Sequence, residues 1–217
     1  MESGSQTAGE QPYPVEFSVE YPDRALNRLT TAFRLIVAIP IVIVAASLGG
    51  HEASFAAGRD GATIAGGTSG LLFFAPLLMI LFRQKYPRWW FDWNLELLRF
   101  ENRIGVYLAL MDDHYPSTDE RQSVELDFPY PDAERDLNRW LPLVKWLLAI
   151  PHYVLLIFLW IAAVVAVVIA WFAILFTGRY PQGLFDFVLG VIRWGNRVVA
   201  YAFLLVTDRY PPFRLSP

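Results

Sequence analysis

The chain has 217 residues, 55% of them hydrophobic and 16% aromatic, with only 18% charged and a formal net charge of −3. Soluble domains carry about a quarter charged residues, so the shortfall predicts a surface that faces lipid. The absence of cysteine excludes disulfides, thiolate metal sites and cysteine nucleophiles. No basic run suits nucleic acid, which is not expected as a partner.

The first 12 residues are rich in Glu, Ser, Gly and Gln, the composition of a disordered tail. They lack the basic stretch and apolar run of a secretory leader, so internal segments are expected to direct insertion. From Val15 to Tyr21, apolar residues alternate with Glu16, Ser18 and Glu20, the period of a half-buried strand. Leu26 to Leu48 supplies about the 20 apolar residues a bilayer requires, and Arg28 and Arg34 in its first turns can reach the headgroups. Gly49 to Gly70 is rich in Gly, Ala, Ser and Thr, with Asp60-Gly61 marking a turn. The next apolar run, Ala62 to Phe82, is long enough to return, which predicts a helical hairpin. Trp90 to Met111 is also apolar, but Arg99 and Arg103 near its middle would each cost about 2.5–3.5 kcal/mol in hydrocarbon. It reads as an amphipathic helix lying in the interface.

The second half follows the same order. Val124 to Tyr130 alternates as a second strand, and the two strands are expected to pair with each other or with a neighbouring subunit. Beyond Arg139 near its start, Leu137 to Phe176 carries only Lys145 and His152 as charged or histidine groups. One helix of that length would measure about 60 Å, twice the hydrocarbon thickness, so a second tight hairpin is predicted, reversing near Ile157 to Ala162. A single tilted, kinked helix is the alternative. Pro40 and Pro151 occupy equivalent places and are expected to kink the first helix of each pair. Leu184 to Val206, carrying Arg193 and Arg197, is the second interfacial element.

The correspondence extends to single residues. Tyr21-Pro22-Asp23, Leu26-Asn27-Arg28 and Ala38-Ile39-Pro40 return as Tyr130-Pro131-Asp132, Leu137-Asn138-Arg139 and Ala149-Ile150-Pro151. Tyr86-Pro87, Phe91-Asp92, Arg99, Asn102-Arg103 and Tyr107 return as Tyr180-Pro181, Phe185-Asp186, Arg193, Asn196-Arg197 and Tyr201. Self-similarity of this kind decides architecture first. The expected fold is an all-α membrane protein built from a duplicated helical-hairpin module. It would have four transmembrane helices, two interfacial amphipathic helices and two short cytoplasmic β-strands. Residues 13–116 form the first repeat and 117–217 the second. Basic residues flank the hairpin feet in both halves, which predicts a multi-pass protein with cytoplasmic termini.

The sharpest candidate site is the Arg-x-x-Asn-Arg pattern, Arg99/Asn102/Arg103 and Arg193/Asn196/Arg197. Like charges four apart on a helix repel, so each pair asks for an anionic partner. One reading is a phospholipid phosphate at headgroup level. The other is an ion pair with Asp23, Asp92, Asp132 or Asp186, which both halves share. Seven Tyr-Pro pairs read as punctuation at the membrane boundary. His51, His114 and His152 lie in separate segments, no metal site is expected, and no cofactor is called for. No Gly-x-Ser-x-Gly elbow or phosphate loop is present.

Tyr-Pro-Asp-x₃-Asp-Leu-Asn-Arg-Trp at 130–140, Ala-Ile-Pro-His at 149–152, Thr-Gly-Arg-Tyr-Pro at 177–181 and Arg-Trp-x-Asn-Arg-Val at 193–198 resemble the bacterial DUF4389 family. The likeness covers most of the chain as two tandem copies, and it implies an integral membrane protein and no activity. The expected function is a non-enzymatic accessory or scaffold subunit of the bacterial inner membrane that binds anionic lipid headgroups. Its expected partners are membrane lipids and other membrane subunits or further copies of itself. A small transporter or lipid-translocating protein, with its path between the repeats, is the competing class.

Overall fold

The computed structural model describes residues 12–49, 68–117, 120 and 122–217. The expected tail up to residue 11, most of the Gly-rich connection with His51 and Asp60-Gly61, and the start of the Ala62–Phe82 run lie outside the described residues.

The two alternating segments form strands β1 (Glu16–Val19) and β2 (Val124–Asp127), paired antiparallel with Phe17 opposite Leu126 and Val19 opposite Val124. Phe17, Val19, Val124 and Leu126 face inward, and Glu16, Ser18, Glu125 and Asp127 face outward, as the period of two requires. Helix α1 (Arg28–Val37) starts where the Asn27 side chain accepts the N–H groups of Leu29 and Thr30 at 2.9 and 3.3 Å. Only Ala38 separates it from α2 (Ile39–Gly49). The interruption comes two residues before Pro40, which has no N–H to give the Ile36 carbonyl. Helices α3 (Thr68–Arg83) and α4 (Arg88–Leu108) complete the first half.

In the second half, α5 (Pro142–Leu148) is broken from α6 (Ile150–Thr177) at Ala149, again two residues before a proline. Helix α6 is one unbroken helix of 28 residues, about 42 Å long. The hairpin predicted to reverse near Ile157 to Ala162 is therefore not formed. That stretch holds neither Gly nor Pro, so nothing stops helix propagation through it. Helix α6 ends instead at Gly178, whose φ of +75° a side chain rarely adopts. Helix α7 (Gln182–Ala202) follows. Among the described residues, two helical stretches are long and apolar enough to cross a membrane, Arg28–Ser47 and Ile150–Thr177. Four were expected.

The elements stack in layers. Helices α4 and α7 contact β2 and β1 on one side, and α2 and α6 on the other. Ala38 and Ile41 meet Phe100, Ile104 and Tyr107 along the α2–α4 seam. Ala149 and Leu156 meet Trp194, Val198 and Tyr201 along α6–α7. Neither α4 nor α7 lies free in an interface as predicted. Each has a second apolar face that the arginine stripe obscured, so each is sandwiched. The halves also interlock: Trp171 of α6 donates to the Thr31 carbonyl of α1 at 3.1 Å, and Arg139 donates to the Phe82 carbonyl of α3 at 3.3 Å.

Candidate functional site

The arginine pattern lies on the sheet side of α4 and α7. Arg99 donates to the Leu126 carbonyl of β2 at 2.8 Å and pairs with Glu96 at 2.6 Å and Asp127 at 3.2 Å. Arg193 donates to the Phe17 carbonyl of β1 at 3.0 Å and to the Leu215 carbonyl at 3.0 Å. Each arginine therefore ties its helix to the strand of the opposite half. Arg103 donates to the Ser117 carbonyl at 2.7 Å, and Arg197 to the carbonyls of Arg214 and Ser216 at 3.3 and 2.9 Å. Arg197 is 1% exposed. Burial, together with Arg214 and Arg193 and against the pull of Tyr13, lowers its pKa to about 10. Burial lowers that of Arg193 as well, opposed by Asp186.

The carboxylates proposed from the sequence do not bond to these arginines. Asp23, Asp92, Asp132 and Asp186 are exposed; Asp92 sits 3.4 Å from Arg88 and Asp132 3.6 Å from Arg135. Asn102 and Asn196 do meet. Their amides exchange hydrogen bonds at 2.9 and 2.7 Å between α4 and α7, and both are buried.

Two buried cations hold sites the sequence reading missed; Arg34, expected to reach the headgroups, is 2% exposed and turned inward instead. The Arg34 guanidinium pairs with Asp113, donates to the Asp112 and Tyr107 carbonyls and lies 4.3 Å over the Tyr107 ring. At the matching place, the Lys145 ammonium lies 2.7 Å from Asp208, donates to the Thr207 carbonyl at 2.7 Å and sits 5.2 Å over the Tyr201 ring. Burial pulls the Lys145 pKa down against Asp208, which raises it. Leu110 and Leu205, at φ +64° and +59°, turn the chain just before these carbonyls and carboxylates. The legible signal was a cation at the same place inside each apolar run, Arg34 and Lys145, with an aspartate after each third element.

The Tyr-Pro pairs are also internal ties rather than only boundary markers. Tyr21 donates to the Tyr180 carbonyl at 2.5 Å, and Tyr130 donates to that of Tyr86. His152 is buried in an aromatic box, accepting from Trp194 Nε1 at 3.0 Å and stacking on Phe213 at 4.1 Å between centroids. No group of three His, Asp or Glu side chains suited to a metal occurs among the described residues.

A cleft of about 1060 Å³ lies between α1 and α4 of the first half and α6 and α7 of the second. Its walls are apolar; Arg34, Glu101 and the Asn102–Asn196 pair are the main polar features of its lining. Its rim includes Leu35, Ile157, Val164 and Val168, large apolar side chains that are exposed on the molecular surface.

Residues 140–214 match the family model described as Domain of unknown function (DUF4389). The match runs from the start of α5 through α6 and α7 into the C-terminal segment. It takes in Lys145, Asp208, Arg193, Arg197 and the His152 box. Two tandem DUF4389 copies were expected, and one match is found. No curated protein and no solved structure matches the chain significantly.

Proposed function

We propose that this protein is a non-enzymatic membrane subunit that works by assembly, built from two copies of one module about a pseudo-two-fold axis. The observation that carries the membrane reading is the inversion of its surface. Leu29, Phe33, Leu35 and Ile36 on α1, and Ile157, Phe158, Ile161, Val164 and Phe176 on α6, are exposed. The buried cations Arg34, Lys145 and Arg197 all have partners within the chain. Water does not tolerate so large an apolar face, which marks contact with lipid or with another membrane protein.

The duplication is supported by matched contacts. Phe17 stands opposite Leu126, Asn102 bonds Asn196, and the Arg34–Asp113 and Lys145–Asp208 pairs occupy corresponding places. The arginine stripe acts in this reading as a structural tie, since each of its arginines donates to at least one backbone carbonyl and Arg99 also pairs with Glu96 and Asp127. Native purification in mild detergent tests the assembly role: a stable second membrane protein or a defined oligomer is expected. Release of the protein from membranes by alkaline carbonate, or a lone monomer under all mild conditions, defeats it. The cleft between the halves favours a second reading, a lipid-translocating protein, for which transfer of fluorescent phosphatidylglycerol across liposomes containing only this protein is expected.

A further inference from the structure

We propose that Arg28 and Arg179 hold the phosphate of an anionic membrane glycerolipid where α1 begins and α6 ends. The inference rests on the membrane reading above and deepens it by naming a site and its ligand.

Folding brings the two cations to one place. The Leu26 N–H donates to the Gly178 carbonyl at 2.8 Å, and Trp171 donates to the Thr31 carbonyl at 3.1 Å, so α1 starts beside the last turns of α6. The Arg28 Nε and Nη2 atoms lie 3.7 Å from where a Cβ on Gly178 would stand. The guanidinium thus reaches the residue next to Arg179. Both cations are exposed. Among the described residues, neither side chain makes a hydrogen bond or has a carboxylate within 4.0 Å. The C-terminus of α6 sets only about half a negative charge against their two positive ones. The excess calls for an anion, and the planar fork of arginine matches the oxygens of a phosphate.

The surroundings decide which phosphate. Arg28 opens one of the two stretches long and apolar enough to cross a membrane, and Arg179 follows the end of the other. Leu29 and Phe176, beside them in the chain, are 72% and 78% exposed. The cations therefore stand at the border of an apolar surface, where a bilayer presents its anionic headgroups. An acidic peptide docked there would leave Leu29 and Phe176 in water.

The other half supplies a contrast. Arg139 and Lys85 occupy the places of Arg28 and Arg179, with Trp140 and Phe82 for Leu29 and Phe176. There Arg139 already donates to the Leu81 and Phe82 carbonyls, and Asp132 and Glu134 share a depression with Lys85. The same cations are answered within the chain, so this second place does not call for a lipid.

The full chain, purified in mild detergent, is titrated with phosphatidylglycerol or phosphatidylcholine of matched acyl chains, and bound lipid is counted by native mass spectrometry. Wild type is expected to retain phosphatidylglycerol about tenfold better. Arg28→Gln with Arg179→Gln should bring the two lipids level. Arg179→Gln alone removes a side chain with no bond among the described residues, so the fold is not at stake. It should lower the preference about fivefold, and Lys85→Gln at the corresponding place should change it less than about twofold. No preference in wild type, an unchanged preference in Arg179→Gln, an equal loss in Lys85→Gln, or inorganic phosphate bound as tightly as the lipid overturns the proposal. If wild type shows no preference yet resists carbonate extraction, the headgroup site falls while the membrane reading stands; release by carbonate removes both.

Discussion

The segments 88–117 and 182–217 share Phe-Asp, Arg-x-x-Asn-Arg and Tyr at one spacing and solve the same electrostatic problem differently. Both carry two arginines four apart on a helix beside the sheet. In the first, Arg99 keeps 29% of its side chain exposed and is balanced by Glu96 and Asp127. In the second, Gly190 stands where the first has Glu96, and the Leu215 Cβ would lie 2.7 Å from any Cβ at that position. The missing side chain lets the C-terminal segment lie against α7, where its carbonyls meet Arg193 and Arg197. An arginine pair in search of an anion can thus be satisfied by carbonyl dipoles, provided that a segment of chain can come close enough.

The largest effects should come from the buried cation pairs, because removing one partner strands a charge. Asp208→Ala is expected to lower stability by about 3–5 kcal/mol, and Asp113→Ala by a similar amount, read from unfolding midpoints in detergent. Loss in only one half would break the equivalence of the two pairs. Next, removing residues 214–217 should cost about 2–3 kcal/mol, because Arg197 and Arg193 lose their acceptors. Arg99→Ala, at a partly exposed site, should cost about 1 kcal/mol. Equal costs for these two changes would remove the contrast between dipole and carboxylate capping.

Glycine changes sharpen it further. Gly190→Ala should destabilise by about 1–3 kcal/mol through its clash with Leu215. Gly105→Ala, with open space around it, should stabilise by up to about 1 kcal/mol through helix propensity. The smallest effect concerns pH. Burial pushes Asp112 up, but hydrogen bonds from Ser123 and His114 outweigh it and hold its pKa below the ordinary 3.8. Its stabilisation is therefore complete above that pH and is lost as pH falls through the lower folded value. Thr207 stands at the matching place in the second half and does not titrate. Ser123→Ala should shrink the acid-side loss seen in calorimetry, and an unchanged profile would remove Asp112 from the account.

Much of the local structure was legible. The period of two at Val15–Tyr21 and Val124–Tyr130 gave two strands that pair, because one-sided burial leaves an isolated strand no stable alternative. Pro40 and Pro151 located the breaks at Ala38 and Ala149, since a proline removes a fixed hydrogen bond wherever it stands. Length misled at Leu137–Phe176: a bilayer's thickness suggested a hairpin, but no residue there can stop a helix. The stripe of Arg99 and Arg103 hid the second apolar face of α4, and the same pattern hid that of α7, so both were read as lying in an interface when each is layered between sheet and helix.

Composition, spacing and proline placement by themselves determined that this chain is apolar and mostly helical, with one order of residue motifs written twice along it. They act through neighbours in sequence, and their physics is local. Which groups meet across the halves was decided only in three dimensions: Arg34 with Asp113, Lys145 with Asp208, Asn102 with Asn196, Arg197 with the C-terminal carbonyls, and the cleft beside α6. Those contacts join residues far apart along the chain, and a backbone carbonyl looks the same in every sequence until folding brings a cation to it.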